Sequence, residues 1–207
     1  GTMPKLAQEK MDERISLVEE AALRLFRKKG FHGVGLRDIA EEAGVSLGNI
    51  YNYFSTKEEI YEALLDRLYA DFTSPEEPLV RFLSKSTFPD DLEAFGKAVG
   101  EMVERHSDYL TLVYVDIAEF QGRTVRKHYA NLPERFSKVL GKRFSQTGKV
   151  AGGVDPAVAF TALYMQFFNY FVVERLIGAK GHLGLPDEKA IRAIALVFQN
   201  GLGGKTK

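Results

Sequence analysis

The sequence predicts an all-α chain: a three-helix N-terminal domain of helix-turn-helix form, followed by a larger C-terminal helical domain. Three observations predict it. Apolar residues recur at helical spacing through most of the chain. Only seven of 207 residues are proline, too few for the turns of a sandwich or barrel. Glycine, serine and threonine punctuate the apolar stretches where helices should begin and end.

At roughly 150 residues per domain, this length fits one large domain or two small ones. Hydrophobic residues at 45% and charged residues at 27% match the globular average, which excludes wholesale disorder. Lys plus Arg and Asp plus Glu both number 28, so total charge names no partner. The absence of cysteine excludes a disulfide framework, a thiolate metal site and a cysteine nucleophile.

The first helix carries Ile15, Val18, Ala22, Leu25 and Phe26 as one apolar stripe. Arg27, Lys28 and Lys29 suit its negative C-terminal end, and Gly30 can cap it. Leu36 to Ala43 forms a second, short helix with Leu36, Ile39, Ala40 and Ala43 inward. Gly44 breaks it, and Ser46 caps a third helix running to about Tyr53. Thr56 and Glu59 form the capping box of a fourth, which carries Ile60, Leu64, Leu68 and Phe72.

Thr73-Ser74-Pro75-Glu76-Glu77-Pro78 reads as a turn, with the domain boundary just before it. The organisation expected is a scar (Gly1-Thr2) and flexible N-terminus over 1–10, a helix-turn-helix domain over 11–55, a connecting helix over 56–72, a helical domain over 73–202 and a loose tail over 203–207. The remainder after the turn should hold five or so helices. Pro89 and Pro156 suit first helical positions. Pro133 should kink or divide a helix between Tyr129 and Phe144. The last helix should open at Pro186-Asp187-Glu188, bury Ile191, Ile194, Ala195 and Phe198 on one side, and end at Gly201.

Ala157 to Val173 is uncharged for 17 residues. As a helix it would reach about 25 Å, short of a ~30 Å hydrocarbon core. Thr161, Gln166 and Asn169 interrupt it. The expectation is a helix buried in protein, no membrane partner and, with no export signal, a cytoplasmic location.

Two short helices joined by Ala43-Gly44-Val45-Ser46 form a helix-turn-helix signature, whose third helix is placed to read DNA. Ala40 is small where the helices cross, Gly44 permits a left-handed turn, and Val45 and Ile50 plug the core beneath. With Ile50 and Phe54 inward, the third helix shows Leu47, Gly48, Asn49, Tyr51, Asn52 and Tyr53 outward. Such a set is odd for a solvated face, where Lys and Glu are expected. Asn can pair with adenine edges, Leu can touch a thymine methyl, and Tyr hydroxyls can donate to phosphates. Lys57 opposes the dipole preference of its helix start, and a phosphate partner would account for it. Arg37 and Ser46 complete the DNA-binding set. Residues 1–67 hold ten Lys/Arg and twelve Asp/Glu, so attraction to DNA must come from a local patch.

Gly30-Phe31, Leu36-Arg37-Asp38-Ile39-Ala40-Glu41-Glu42-Ala43-Gly44-Val45-Ser46 and Gly48 through Ile60 together resemble the N-terminal domain of the TetR family. The likeness covers about 50 residues, from near Ile15 to Leu65. It departs at Val34-Gly35, where relatives often carry a phosphate-binding hydroxyl, and at Leu47, often basic or small and polar. The resemblance implies a homodimer with a helical ligand-binding and dimerisation domain, usually repressing transcription from a palindromic operator until a small-molecule effector releases it.

The C-terminal part is rich in aromatic residues. Helical projection of 157–176 places Phe160, Tyr164, Phe167 and Phe171 on one face, assigned to core or pocket. The opposite face holds Ala162, Met165, Gln166, Asn169, Val173 and Leu176, assigned, apart from Leu176, to a dimer seam with Ile191, Ile194 and Phe198. Tyr114, Asp116, Phe120, Tyr129, Phe136 and Phe168 join Tyr164, Phe167 and Phe171 as pocket candidates. Asp116 and Glu119 stand out in an otherwise apolar helix; facing a cavity, they would favour a cationic or hydroxyl-bearing ligand. The aromatic count points to a lipophilic effector.

Nothing points to an enzyme, a metal or a cofactor. His32, His106, His128 and His182 lack metal-like pairing, and His106-Ser107-Asp108 reads as a helix junction. Gly178, Gly181 and Gly184 miss dinucleotide-site spacing. The alternative function is a DNA-binding regulator or architectural protein without an effector.

Overall fold

In the computed structural model, which describes residues 3–86, 88–141 and 150–202, every long element is a helix. These are α1 (Lys5–Lys29), α2 (Leu36–Ala43), α3 (Leu47–Tyr51), α4 (Lys57–Thr73), α5 (Pro78–Lys85), α6 (Leu92–Arg105), α7 (Ser107–Phe120), α8 (Arg123–Tyr129), α9 (Leu132–Leu140), α10 (Pro156–Phe171) and α11 (Asp187–Asn200). A π-helical turn, Val172–Ile177, prolongs α10. The all-α expectation holds.

Several ends follow from local chemistry. Asp155 accepts the N–H groups of Ala157 (2.8 Å) and Val158 (3.2 Å), so α10 starts with Pro156 in its first turn. Pro133 divides α8 from α9, as its missing N–H requires, and the expected Phe144 end lies outside the described residues, as do Gly1-Thr2 and 203–207. Pro89 instead lies in a turn before Leu92, so α6 begins later than expected. Helix α1 begins at Lys5, so residues 5–10 are helical rather than a loose arm.

The chain forms two compact units, and their membership differs from the linear division at residue 73. The first combines the chain up to Ala70 with Asp108–Lys127; the second combines Asp71–Ser107 with the chain from His128. Side chains explain why 108–127 joins the first unit. The Tyr61 hydroxyl donates to the Leu112 carbonyl (2.5 Å), and Phe120 packs on Phe31 (4.9 Å between centroids) and Tyr61 (5.2 Å). Ion pairs Arg27–Asp108 (3.0 Å) and Arg123–Glu62 (2.7 Å) fasten its ends. Asp116 is fully buried and accepts the N–H groups of Thr124 (3.2 Å) and Val125 (3.0 Å), capping the start of α8.

In the second unit α6 packs against α10 and α11 through two glycines. A Cβ on Gly96 would lie 2.7 Å from Phe167 Cε1 and 2.9 Å from Ile191 Cγ2; on Gly100 it would lie 2.6 Å from Phe171 Cζ. Tyr170 donates to Asp187 (2.8 Å), and Arg175 pairs with both Asp187 (2.5 Å) and Glu104 (3.1 Å). Glu174, buried in the π turn, accepts the Gly181 N–H at 3.0 Å. By length and composition, Pro156–Ile177 is apolar enough to cross a membrane. Here its Phe160, Leu163, Phe167, Tyr170 and Phe171 are buried in the core.

Candidate nucleic-acid interface and effector cavity

The turn between α2 and α3 is a Schellman motif. Gly44 takes left-handed angles (φ 69°, ψ 29°), its N–H bonds the Glu41 carbonyl (3.2 Å), and the Val45 N–H reaches back to Ala40 (3.0 Å). The arrangement stops α2 abruptly and sends α3 off at once. Ser46 accepts the Asn49 N–H at 3.1 Å, which caps α3. Ile50 is fully buried. The helix is shorter than expected, ending at Tyr51, although the Tyr53 and Phe54 N–H groups still bond the Ile50 carbonyl at 2.9 Å.

What α3 presents outward follows from that anchoring. Ser46, Gly48, Tyr51 and Asn52 are exposed, Tyr51 by 56%, while Leu47, Asn49 and Tyr53 are half-buried. Arg37 on α2 is exposed and makes no ion pair among the described residues. The Gly35 N–H is already taken by Asp38 (2.8 Å), half of a capping box whose other arm glycine cannot supply.

Lys57 has an occupation that the sequence does not reveal. Its ammonium donates to the carbonyls of Phe31 (2.8 Å) and Val34 (2.9 Å) and lies 4.3 Å from the Phe31 ring centroid. It ties the α1–α2 loop to the start of α4, so no phosphate is needed to account for a cation there. Thr56 caps α4 as expected, by the Glu59 N–H on Thr56 Oγ1 (3.2 Å), while the Glu59 carboxylate accepts the N–H of Ser55 (2.7 Å) rather than that of Thr56.

Residues 20–64 match the family described as "Bacterial regulatory proteins, tetR family". The chain is 30% identical over 171 residues to YfiR, an uncharacterized HTH-type transcriptional regulator of Bacillus subtilis, covering 80% of each chain. The chain belongs to the TetR family. It is also 28% identical over 185 residues to the HTH-type transcriptional repressor SCO4008 of Streptomyces coelicolor, covering 84% of this chain and 91% of that one. The fold is shared with the fatty acid degradation regulator FadR from Bacillus halodurans, at a TM-score of 0.66 and 13% identity, covering 93% and 97%. TetR-type relatives are DNA-binding regulators, not enzymes.

The second unit of this TetR-family chain holds a cavity of about 60 Å³, lined mainly by apolar side chains of α4, α5, α6, α9 and α10. Of the expected pocket residues only Phe136 and Tyr164 line it. Phe167 and Phe171 are spent on the glycines of α6. Phe168 stacks on Tyr164 (5.8 Å), and Tyr129 is partly exposed and outside the lining. Tyr114, Asp116 and Phe120 belong to the first unit, where Asp116 caps α8, Phe120 fills the core and Tyr114 is 46% exposed. A cationic ligand held by Asp116 is therefore ruled out by its buried backbone partners.

Sequence reasoning missed Phe72, His128 and Arg135, which line the same cavity. A signal existed for Arg135. Leu132, Phe136 and Val139 form the apolar stripe of α9, and Arg135 interrupts that stripe. Arg135 donates to the His128 carbonyl (2.5 Å) and lies 3.0 Å from His128 Nδ1. Burial, helped by that guanidinium, pushes the His128 pKa down to about 4. Burial pushes the Tyr164 hydroxyl up.

The residues expected in a dimer seam differ in exposure. Ala162, Met165, Gln166 and Asn169 are exposed on α10, Phe198 is exposed on α11, and Val173 is half-buried. Ile191 and Ile194 point into the protomer core, where Ile191 packs beside Gly96, so they are unavailable to a partner. Leu196 and Val197 of the same helix are exposed, each by 45%.

Proposed function

We propose that this protein is a homodimeric transcriptional repressor whose paired α3 helices enter successive major grooves of a palindromic operator. The observation that carries the reading is the outward face of α3. Exposed Tyr51 and Asn52, with Gly48 between the cap and the helix body, stand on a turn whose geometry fixes their direction. Two-fold pairing of identical helices is what makes an operator palindromic. Repression follows the direction named for SCO4008. The exposed apolar residues Val158, Met165, Leu196, Val197 and Phe198 supply the self-association face. A bacterial regulator working on chromosomal DNA would act in the cytoplasm.

A small-molecule effector at the cavity of the second unit would control release. The chain passes between units after Ala70, Ser107 and Lys127. Phe72 and His128 are close to two of these crossings and line the cavity, and His106, beside the third, packs edge-on against Phe72 at 5.1 Å. A ligand moving these rings would act on all three connections. It releases DNA only by preferring the DNA-incompetent state. The small cavity volume favours one second reading, a regulator without an effector.

The test is fluorescence anisotropy with DNA from upstream of the protein's own gene, against random DNA, at two salt concentrations. Selective binding by two protomers per site is expected. Equal, weak and steeply salt-dependent binding to both DNAs would argue against an operator there, and no binding at low salt would end the DNA reading.

A further inference from the structure

Among the described residues, the lining of the cavity in the second unit has one lysine or arginine side chain and no carboxylate. Leu79, Leu83, Met102, Phe136 and Val139 give it apolar walls, and Arg135 opens onto it from the α9 stripe. One guanidinium nitrogen is anchored on the His128 carbonyl. No carboxylate among the described residues pairs with Arg135. Of the two buried carboxylates of this unit, Glu77 is spent on Arg105 and on His106 Nε2 (2.9 Å), and Glu174 on the Gly181 N–H and on His182 Nδ1 (2.7 Å). The other ionisable lining groups do not compensate. His128 is neutral near pH 7, and Tyr164 keeps its proton. Arg135 is therefore left as a cation of the lining without a carboxylate partner among the described residues.

We propose that this cavity takes a monoanionic amphiphile, an apolar body ending in a carboxylate, with the head group received by Arg135. The proposal rests on the cavity being the effector site. A half-buried guanidinium without a counter-charge is costly, and a ligand carboxylate supplies the charge the protein withholds. The planar fork of arginine suits a carboxylate, and the anchored nitrogen fixes its plane without using its remaining N–H groups. A neutral lipophile would fill the walls but leave the charge unmet; a cation would be repelled. The space of about 60 Å³ holds roughly two waters. Entry therefore displaces side chains at the rim, where Val139 is partly exposed.

Isothermal titration calorimetry on the full chain tests this with three probes of equal tail length: decanoate, decanol and decyltrimethylammonium, each kept below its micelle concentration. Wild type should bind decanoate more tightly than decanol and bind the ammonium compound least. Arg135→Gln should weaken decanoate by about tenfold or more, the scale of a lost charge-assisted pair, while leaving decanol unchanged. Arg135→Lys should restore most of the preference. Because the decanoate-to-decanol ratio is taken within each variant, a general loss of stability does not imitate the effect.

Equal binding of decanoate and decanol by wild type, or an unchanged ratio in Arg135→Gln, overturns the proposal. If none of the probes binds, the proposal falls together with the effector reading of the cavity. Arg135-dependent decanoate binding that leaves DNA affinity unchanged upholds the site and removes only the release mechanism.

Discussion

Replacing Lys57 by methionine separates two accounts of a cation at the start of a helix. The methionine keeps most of the apolar stem and removes the charge. The structure assigns the ammonium two carbonyl acceptors, at 2.8 and 2.9 Å, and an aromatic face at 4.3 Å. Hydrogen bonds from a charged donor contribute about 1.5–3 kcal/mol each when well buried. Lys57 is only half-buried, so about 1 kcal/mol each is the better figure, with ~0.5–1 kcal/mol for the ring. The sum is about 2–3 kcal/mol, and for a chain of this size that lowers Tm by roughly 5–10 °C. Thermal denaturation followed by circular dichroism measures it. DNA anisotropy against salt, on the same variant, measures the competing role. An unchanged Tm, with the salt slope of DNA binding reduced by about one, would refute the structural account and return Lys57 to a phosphate.

Three further outcomes are expected. Tyr51→Phe and Asn52→Ala should each cost about 1–3 kcal/mol of operator affinity in anisotropy if the lost group reads or positions DNA, with Tm unchanged because both side chains are exposed. Gly100→Ala should lower stability by about 1–2 kcal/mol in urea denaturation, since the clash with Phe171 outweighs the helix-propensity gain of ~1 kcal/mol; a stabilised variant would show that the α6–α10 contact yields. Burial works against the Asp187 carboxylate, but bonds from Arg175 and Tyr170 prevail and hold its folded pKa below the ordinary value of 3.8. Its contribution to stability is thus complete above that value and lost as pH falls through the lower folded value, so Asp187→Asn should flatten acid unfolding in that range.

Much of the architecture is written locally. The α2 stop needs Gly44, the α3 start needs Ser46, and the α4 start needs Thr56 with Glu59, each acting within a few residues of its own position. The apolar spacing of 157–171 marks its buried face because a helix imposes one period along its whole length. Family membership was legible for the same reason, since the helix-turn-helix signature is continuous in sequence.

Other features depend on partners far along the chain and emerge only once it has folded. Lys57 looks like a free cation until the Phe31 and Val34 carbonyls come within reach. Asp116 reads as a cavity carboxylate until the chain turns at Gln121-Gly122 and offers it the N–H groups of Thr124 and Val125. Ile191 and Ile194 share a helix with Phe198, yet Gly96 draws the first part of α11 inward and leaves the last turn exposed. The joining of 108–127 to the N-terminal unit rests on Tyr61, Phe31 and Phe120, which are separated by up to 89 positions. Periodicity identifies a buried face but not the surface that covers it, because burial depends on shape and area, and many apolar faces satisfy it equally well.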